Sequence, residues 1–187
     1  PRDINQTLAN GGAAAMAAVI YWLTQKDWAW GALVGALATA NADTWASELG
    51  TFSSKHPRLI TTGKPVEHGT SGGITLSGSL AAVGGATCIA SIAAMLHSGE
   101  RPILPLVLIC TISGITGTFF DSLLGATVQK MYHCTVCAKD TESYPLHCCG
   151  SHTVWSRGSQ WLNNNWVNFL ATALAALMAA SGLLFFT

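Results

Sequence analysis

Apolar and polar positions along this chain fall into long blocks. Four stretches, Ile4 to Gln25, His68 to Gly99, Pro102 to Phe120 and Gly158 to Thr187, hold no Asp, Glu, Lys or Arg, and Trp28 to Ala42 adds a fifth. Each reaches about 20 residues once its polar end is counted, the length at which a helix crosses the hydrocarbon core of a bilayer. The pattern predicts an all-α polytopic bundle of five spans near 5–24, 28–47, 71–97, 102–128 and 163–186, forming one membrane domain over 1–187. A Cys/His-rich loop, 129–161, separates the last two spans. Small residues such as Gly31 with Gly35, Gly84 with Gly85, and Gly114 with Gly117 crowd the spans. In lipid they let helix backbones approach closely, where van der Waals contact holds helices together.

Composition supports the membrane reading. Charged residues make up 10% of the chain, apolar residues 50%, and the net charge is +0, which is not the surface of a soluble domain. Nucleic acid is excluded as a partner, because phosphate neutralisation needs a basic stripe that the chain lacks. With five spans, Arg2, Lys55, Arg58, Lys64, Lys130, Lys139 and Arg157 fall on one side and Lys26 and Arg101 on the other. The positive-inside rule then puts the amino terminus and the loops Gly50–Ser71 and Gln129–Trp161 in the cytoplasm. The far side keeps short turns at Lys26-Asp27 and Ser98–Pro102. Because the chain opens at Pro1 without a methionine, whether further helices stand upstream is left open. A homo-oligomer is left open.

Against this apolar background the acids stand out. Asp43 and Glu48 close the second span, Asp121 sits near the end of the fourth, and Asn164 and Asn168 open the fifth. An ionisable side chain costs roughly 2.5–3.5 kcal/mol at the centre of a spanning helix and marks a functional site by default. The topology brings all five to one face, within a few turns of the same interface. The loop before the third span, with Gly63, Lys64, Glu67, Gly69, Thr70, Ser71 and Gly72, offers backbone N–H groups and a lysine at a helix start. Such a segment either binds an anion, a phosphate above all, or is an ordinary hydrophilic turn. Neither a Walker loop nor a dinucleotide fingerprint occurs. Asp43, Glu48, Glu67 and Asp121 suit Mg²⁺, which takes oxygen ligands and bridges to phosphates. The same carboxylates would also serve an ion- or proton-coupled transporter, and a non-catalytic scaffold is a third reading.

The segments Ala42–Gly50, Pro57–Thr62, Gly69–Thr75, Asp121–Gln129 and Asn163–Asn168 together resemble the family of transmembrane protein 19 and its bacterial relatives, which includes plant phytyl-phosphate kinase. A shorter likeness, Asp43-x-x-Ala46 followed by Gly63-Lys64-x-x-Glu67-x-Gly69, is similar to CTP-dependent phytol and dolichol kinases. The resemblance implies a membrane-embedded kinase that moves a phosphoryl group from a nucleoside triphosphate, CTP by this likeness, to an isoprenoid monophosphate or alcohol such as phytyl phosphate. On that reading Asp43, Glu48 and Asp121 position Mg²⁺, Lys64 contacts phosphate, and Glu67 orients metal-bound water or the acceptor. Gly63, Gly69, Thr70, Ser71, Gly72, Asn164 and Asn168 would face the nucleotide, and the expected partners are that nucleotide, the isoprenoid lipid and the membrane.

Cys134-x-x-Cys137 is followed by His147-Cys148-Cys149, with His133 and His152 flanking. Two such clusters supply the four soft ligands of a structural Zn²⁺ site, which would cross-link a loop too long to stand without support. Free or redox-active thiols and disulfides are the alternatives, the last disfavoured in a reducing cytoplasm. The family resemblance selects Cys134, Cys137, His147 and Cys149, with Cys148 as a substitute. Cys88 and Cys110 read as small core residues, and most tryptophans as an interfacial belt. Trp45, between the two acids, is the exception that invites a test.

Overall fold

A computed structural model describes residues 4–97 and 103–185. Arg2, Arg101, the far-side turn 98–102 and position 186 of the fifth expected span lie outside the described residues. Five long helices dominate: α1 (Ile4–Thr24), α2 (Asp27–Gly50), α3 (Leu76–Leu96), α4 (Ile103–Thr127) and α5 (Asn164–Leu184). They coincide with the uncharged blocks because those blocks contain few helix breakers and end at polar or cap-forming residues. Thr75 caps α3, its Oγ1 accepting from Gly78 N at 3.0 Å, and Asn163 caps α5, its Oδ1 accepting from Trp166 N at 3.1 Å. By length and composition, α3, α4 and α5 are each able to cross a membrane; α1 is interrupted by Asn5, Gln6 and Asn10, and α2 by Asp27, Asp43 and Glu48.

Helix α2 packs against all four others. Its small residues make this feasible. A Cβ on Gly35 would stand 2.7 Å from the carbonyl oxygen of Ala175 in α5, and one on Gly114 of α4 would stand 2.8 Å from Ala38 Cβ. Both are closer than real side chains tolerate, so the helices meet backbone to backbone. The core between them is largely alanine, including Ala36, Ala38, Ala42, Ala82, Ala86, Ala175 and Ala179, all nearly inaccessible. Asn41 Nδ2 donates to the Gly85 carbonyl at 3.0 Å, tying α2 to α3. At the far end His97 Nε2 lies 3.3 Å from Asp27 Oδ1 and its ring stacks on Trp30.

The all-α expectation needs one amendment, since both long connections contain small antiparallel sheets. Between α2 and α3, β1 (Arg58–Leu59) pairs with β2 (Gly73–Ile74). Between α4 and α5, β3 (Met131–Cys134), β4 (Lys139–Thr141) and β5 (Thr153–Arg157) form a sheet in the order β4-β3-β5. Strands this short carry no readable alternation. Neighbours fix them instead. The Arg157 guanidinium donates from Nη1 to Ala126 O at 3.1 Å and from Nη2 to Gly125 O at 3.3 Å. A cation thus satisfies the free carbonyls at the carboxyl end of α4, where the helix dipole favours positive charge. Backbone bonds from Lys130 N to Leu162 O and from Ser159 N to Val128 O complete the docking of this sheet.

Candidate functional site

A cavity of about 490 Å³ opens where α2 and α4 end and α3 and α5 begin. Asp43, Ser47 and Glu48 reach it from the last turns of α2, Thr118, Asp121 and Ser122 from α4, and Asn164 and Asn168 from α5. The loop 68–75 closes one wall with Gly69, Thr70, Ser71 and Gly72, and α3 adds Gly78 and Ser79. Gly72 sets this wall. With φ at +80° and the backbone N of Ala126 only 2.6 Å from where its Cβ would be, the position accepts no side chain without displacing α4.

The acids from three separate stretches therefore face one space. Asp43, Asp121 and a further acid, Glu142, lie close enough to feel one another's charge. Among the described residues no Lys or Arg lines the cavity, and His68 is its one imidazole. Among the described residues, however, the only set of three or more His, Cys, Asp and Glu side chains gathered tightly enough to hold an ion is elsewhere, in the Cys/His loop. The carboxylates share a cavity without forming a closed ligand cage. The amino-terminal ends of α3 and α5 line the same cavity, and they carry the positive end of their helix dipoles.

Three residues expected at the site stand outside this lining. Gly63 and Lys64 occupy the exposed turn between β1 and β2, where the Gly63 carbonyl accepts from Arg58 Nη1 at 2.8 Å. The bridge between Arg58 and Pro65 bends the turn, so nearness in sequence to the third span does not become nearness to the cavity. Glu67 is exposed and pairs with Lys139 of β4 at 2.8 Å; that hydrogen bond holds its carboxyl below the usual range. An exposed pair of this kind is screened and contributes little. Lys139→Ala is accordingly expected to leave the thermal midpoint unchanged, and a clear drop on differential scanning fluorimetry would refute that. Trp45 is also outside the lining, lying against Gly84 on the outer face of α2 and α3.

Two residues that the sequence pattern does not single out complete the site. Gln129, 1% exposed, donates from Nε2 to Glu142 Oε1 at 2.7 Å, while its Oε1 accepts from Ser71 Oγ at 3.1 Å. Glu142 faces the open cavity, yet the protein around it strips enough water to push its carboxyl above the usual range, partly offset by the Gln129 hydrogen bond. A lone acid in an aperiodic loop gives no signal in the sequence; the sheet delivers it.

In that loop, one ligand atom each from Cys134, Cys137, His147 and Cys149 lies within 4.8 Å of all the others. Cys134 Sγ and Cys149 Sγ are 3.6 Å apart, and His147 Nδ1 is 3.2 Å from Cys149 Sγ. Two sulfurs each about 2.3 Å from a tetrahedral zinc stand about 3.8 Å apart, so the spacing fits that ion. The Cys137 N–H points to Cys134 Sγ at 3.5 Å, and hydrogen bonds from Ser151 and His147 pull the Cys149 thiol down to about 5. The Cys137 thiol is held up, to about 11, by its hydrogen bond to Cys149, and the donor set is soft, as zinc prefers. Cys148 stays outside it and is exposed.

A small-residue helical bundle with spans long enough for a bilayer and an acidic cavity at one rim is an integral membrane protein. The chain belongs to the family described as Integral membrane protein DUF92, whose profile matches residues 1–176, and this is the transmembrane protein 19 group that its motifs resemble. It is 36% identical to Protein PGR of Arabidopsis thaliana over 80% of this chain and 53% of that protein. An uncharacterized membrane protein of Methanocaldococcus jannaschii is 38% identical over 69% of this chain and 52% of its own length. Protein VTE6, chloroplastic, of Arabidopsis thaliana is 27% identical over 78% of this chain and 35% of that protein. The chain thus spans about half or less of these relatives. No solved structure matches it.

Proposed function

We propose that the cavity is a divalent-cation-dependent phosphotransferase site facing the cytoplasm or, in a plastid, the stroma. A phosphoryl group would pass from a nucleoside triphosphate, CTP for preference, to an isoprenoid monophosphate or alcohol such as phytyl phosphate. The observation that carries this is the two-signed lining: four carboxylates from α2, α4 and the α4–α5 loop share one cavity with two helix amino termini and a glycine- and hydroxyl-rich loop. A triphosphate cannot approach four carboxylates unless a cation stands between them, and Mg²⁺ supplies that bridge while keeping waters of its own. Asp43 and Asp121, with Glu48, would hold it. The amides of Gly69 to Gly72 and the first turns of α3 and α5 would take phosphate oxygens, and Asn164 and Asn168 would hydrogen-bond the nucleotide. Lys64 and Glu67, away from the lining, are assigned no part.

The chemistry is a displacement at the γ-phosphorus. An acceptor oxygen forms the new P–O bond, the bond to the β-phosphate oxygen breaks, and the nucleoside diphosphate leaves with that electron pair. The protein's contribution is positioning and charge neutralisation. Phe119, Ile74, Ala46 and Ala82 give the cavity an apolar side, which suits the first units of a prenyl chain whose remainder lies in lipid. Family membership supports the reading, since the group includes a phytyl-phosphate kinase.

The expected result is labelled phytyl diphosphate when the full-length protein, in lipid discs with Mg²⁺, receives γ-labelled CTP and phytyl phosphate. Absence of any labelled prenyl phosphate or diphosphate across nucleotides and prenyl acceptors would sink the kinase reading. A cavity lined by four carboxylates and, among the described residues, by no Lys or Arg also suits a cation carrier, and cation uptake into vesicles without product would favour that reading.

A further inference from the structure

We propose that the Cys/His cluster is a soft-metal clasp whose task is to hold Glu142 in the acidic cavity, where Glu142 is a further cation-contacting side chain. The inference rests on reading the cavity as a cation site. Chain order is its first support: Cys134 and Cys137 precede Glu142, and His147 and Cys149 follow it. One ion bound to all four closes a short loop with Glu142 inside. The strands lead the same way, since Cys134 pairs with Lys139 across β3 and β4, and β4 ends at Thr141, one residue before Glu142.

The cavity end is equally well anchored. Buried Gln129 grips Glu142 at 2.7 Å and Ser71 of the glycine-rich wall at 3.1 Å. Arg157 fixes β5, and through it the sheet, to the end of α4. Glu142 needs such restraint. Its hydrogen-bond partner is a neutral amide, and its charged neighbours in the cavity, Asp43 and Asp121, repel it. A flexible loop would let this carboxylate swing out to water; a clasped one keeps it where a cation arriving in the cavity gains another oxygen ligand. Hard Mg²⁺ or Mn²⁺ prefers the carboxylates and zinc the thiolates, so the two positions stay chemically distinct.

Mn²⁺ binding to the full-length protein, followed by electron paramagnetic resonance alongside zinc analysis, tests the link. Wild type is expected to carry one zinc per chain. Glu142→Gln, which keeps an oxygen acceptor for Gln129, should retain zinc and weaken Mn²⁺ binding about tenfold or more. Cys137→Ser, or wild type stripped by a zinc-selective chelator, should lose zinc and weaken Mn²⁺ binding to the same extent, with no further loss on adding Glu142→Gln. The chelated wild type guards against a Cys137→Ser protein that does not fold. Zinc-free protein that binds Mn²⁺ like wild type overturns the link, as does Glu142→Gln with unchanged affinity or a wild type without zinc. Wild type that binds no Mn²⁺, or Asp43→Asn with unchanged affinity, removes the cavity reading itself and this proposal with it.

Discussion

Asp43→Asn is expected to lower the proposed phosphoryl transfer by about 10²–10³-fold, the usual loss when one preorganised electrostatic group is removed from a transition state. The substitution keeps volume and removes charge. Asp43 lies on the last turns of α2 within a cavity that Asp121 and Glu142 also enter. Any cation that brings phosphate into this space must be held by these groups, so losing one weakens both the ion and the developing charge it offsets. The effect on stability should have the opposite sign. With no cation bound, three carboxylates repel one another, and removing one relieves the repulsion. Thermal midpoints measured in a chelator should therefore rise or hold for Asp43→Asn while the rate collapses. A variant with wild-type turnover, or one inactive only because it unfolds, would contradict the assignment.

Gly72→Ala is expected to produce a large loss of stability at the rim of the cavity. An alanine at φ +80° costs about 1–2 kcal/mol in backbone strain. Its Cβ would also stand 2.6 Å from Ala126 N and 2.7 Å from Ala126 Cα, and overpacking against backbone adds about 1–3 kcal/mol. The site should suffer with the fold, because Gly72 is where the Thr70–Ser71 wall rests on α4. Gly69 provides the control. It has φ +83° with nothing within 4 Å of its missing Cβ, so Gly69→Ala carries the strain alone. Denaturation of the two variants in the same detergent should separate them by the packing cost, and equal midpoints would show that the loop does not rest on α4 as described.

The helices were legible because uncharged runs of this length have few other uses, and the convergence of Asp43, Asp121, Asn164 and Asn168 followed from alternating their directions. The loops were harder for a definite reason. Lys64 and Glu67 stand beside the third span in sequence, but a two-residue ladder between β1 and β2 turns them outward, and nothing periodic in the chain announces so short a pairing. Glu142 is the converse case. Its place depends on a sheet register, on Arg157 gripping another helix, and on Gln129 bridging to Ser71, all contacts between distant segments. The Cys/His spacing, by contrast, is a local signal, and its four side chains do come together.

The two long connections, α2 to α3 and α4 to α5, emerge at the same rim, whereas α1 and α2 are joined by no more than Gln25 and Lys26. Such lopsidedness separates two evolutionary tasks. The helical frame answers to lipid and to close packing of alanine and glycine, and it tolerates little change. The rim connections answer to the cavity between them, and they are pinned to the frame at Gly72 and Arg157. Should the cavity act as proposed, the choice of substrate is expected to lie with these two connections before it lies with the membrane helices.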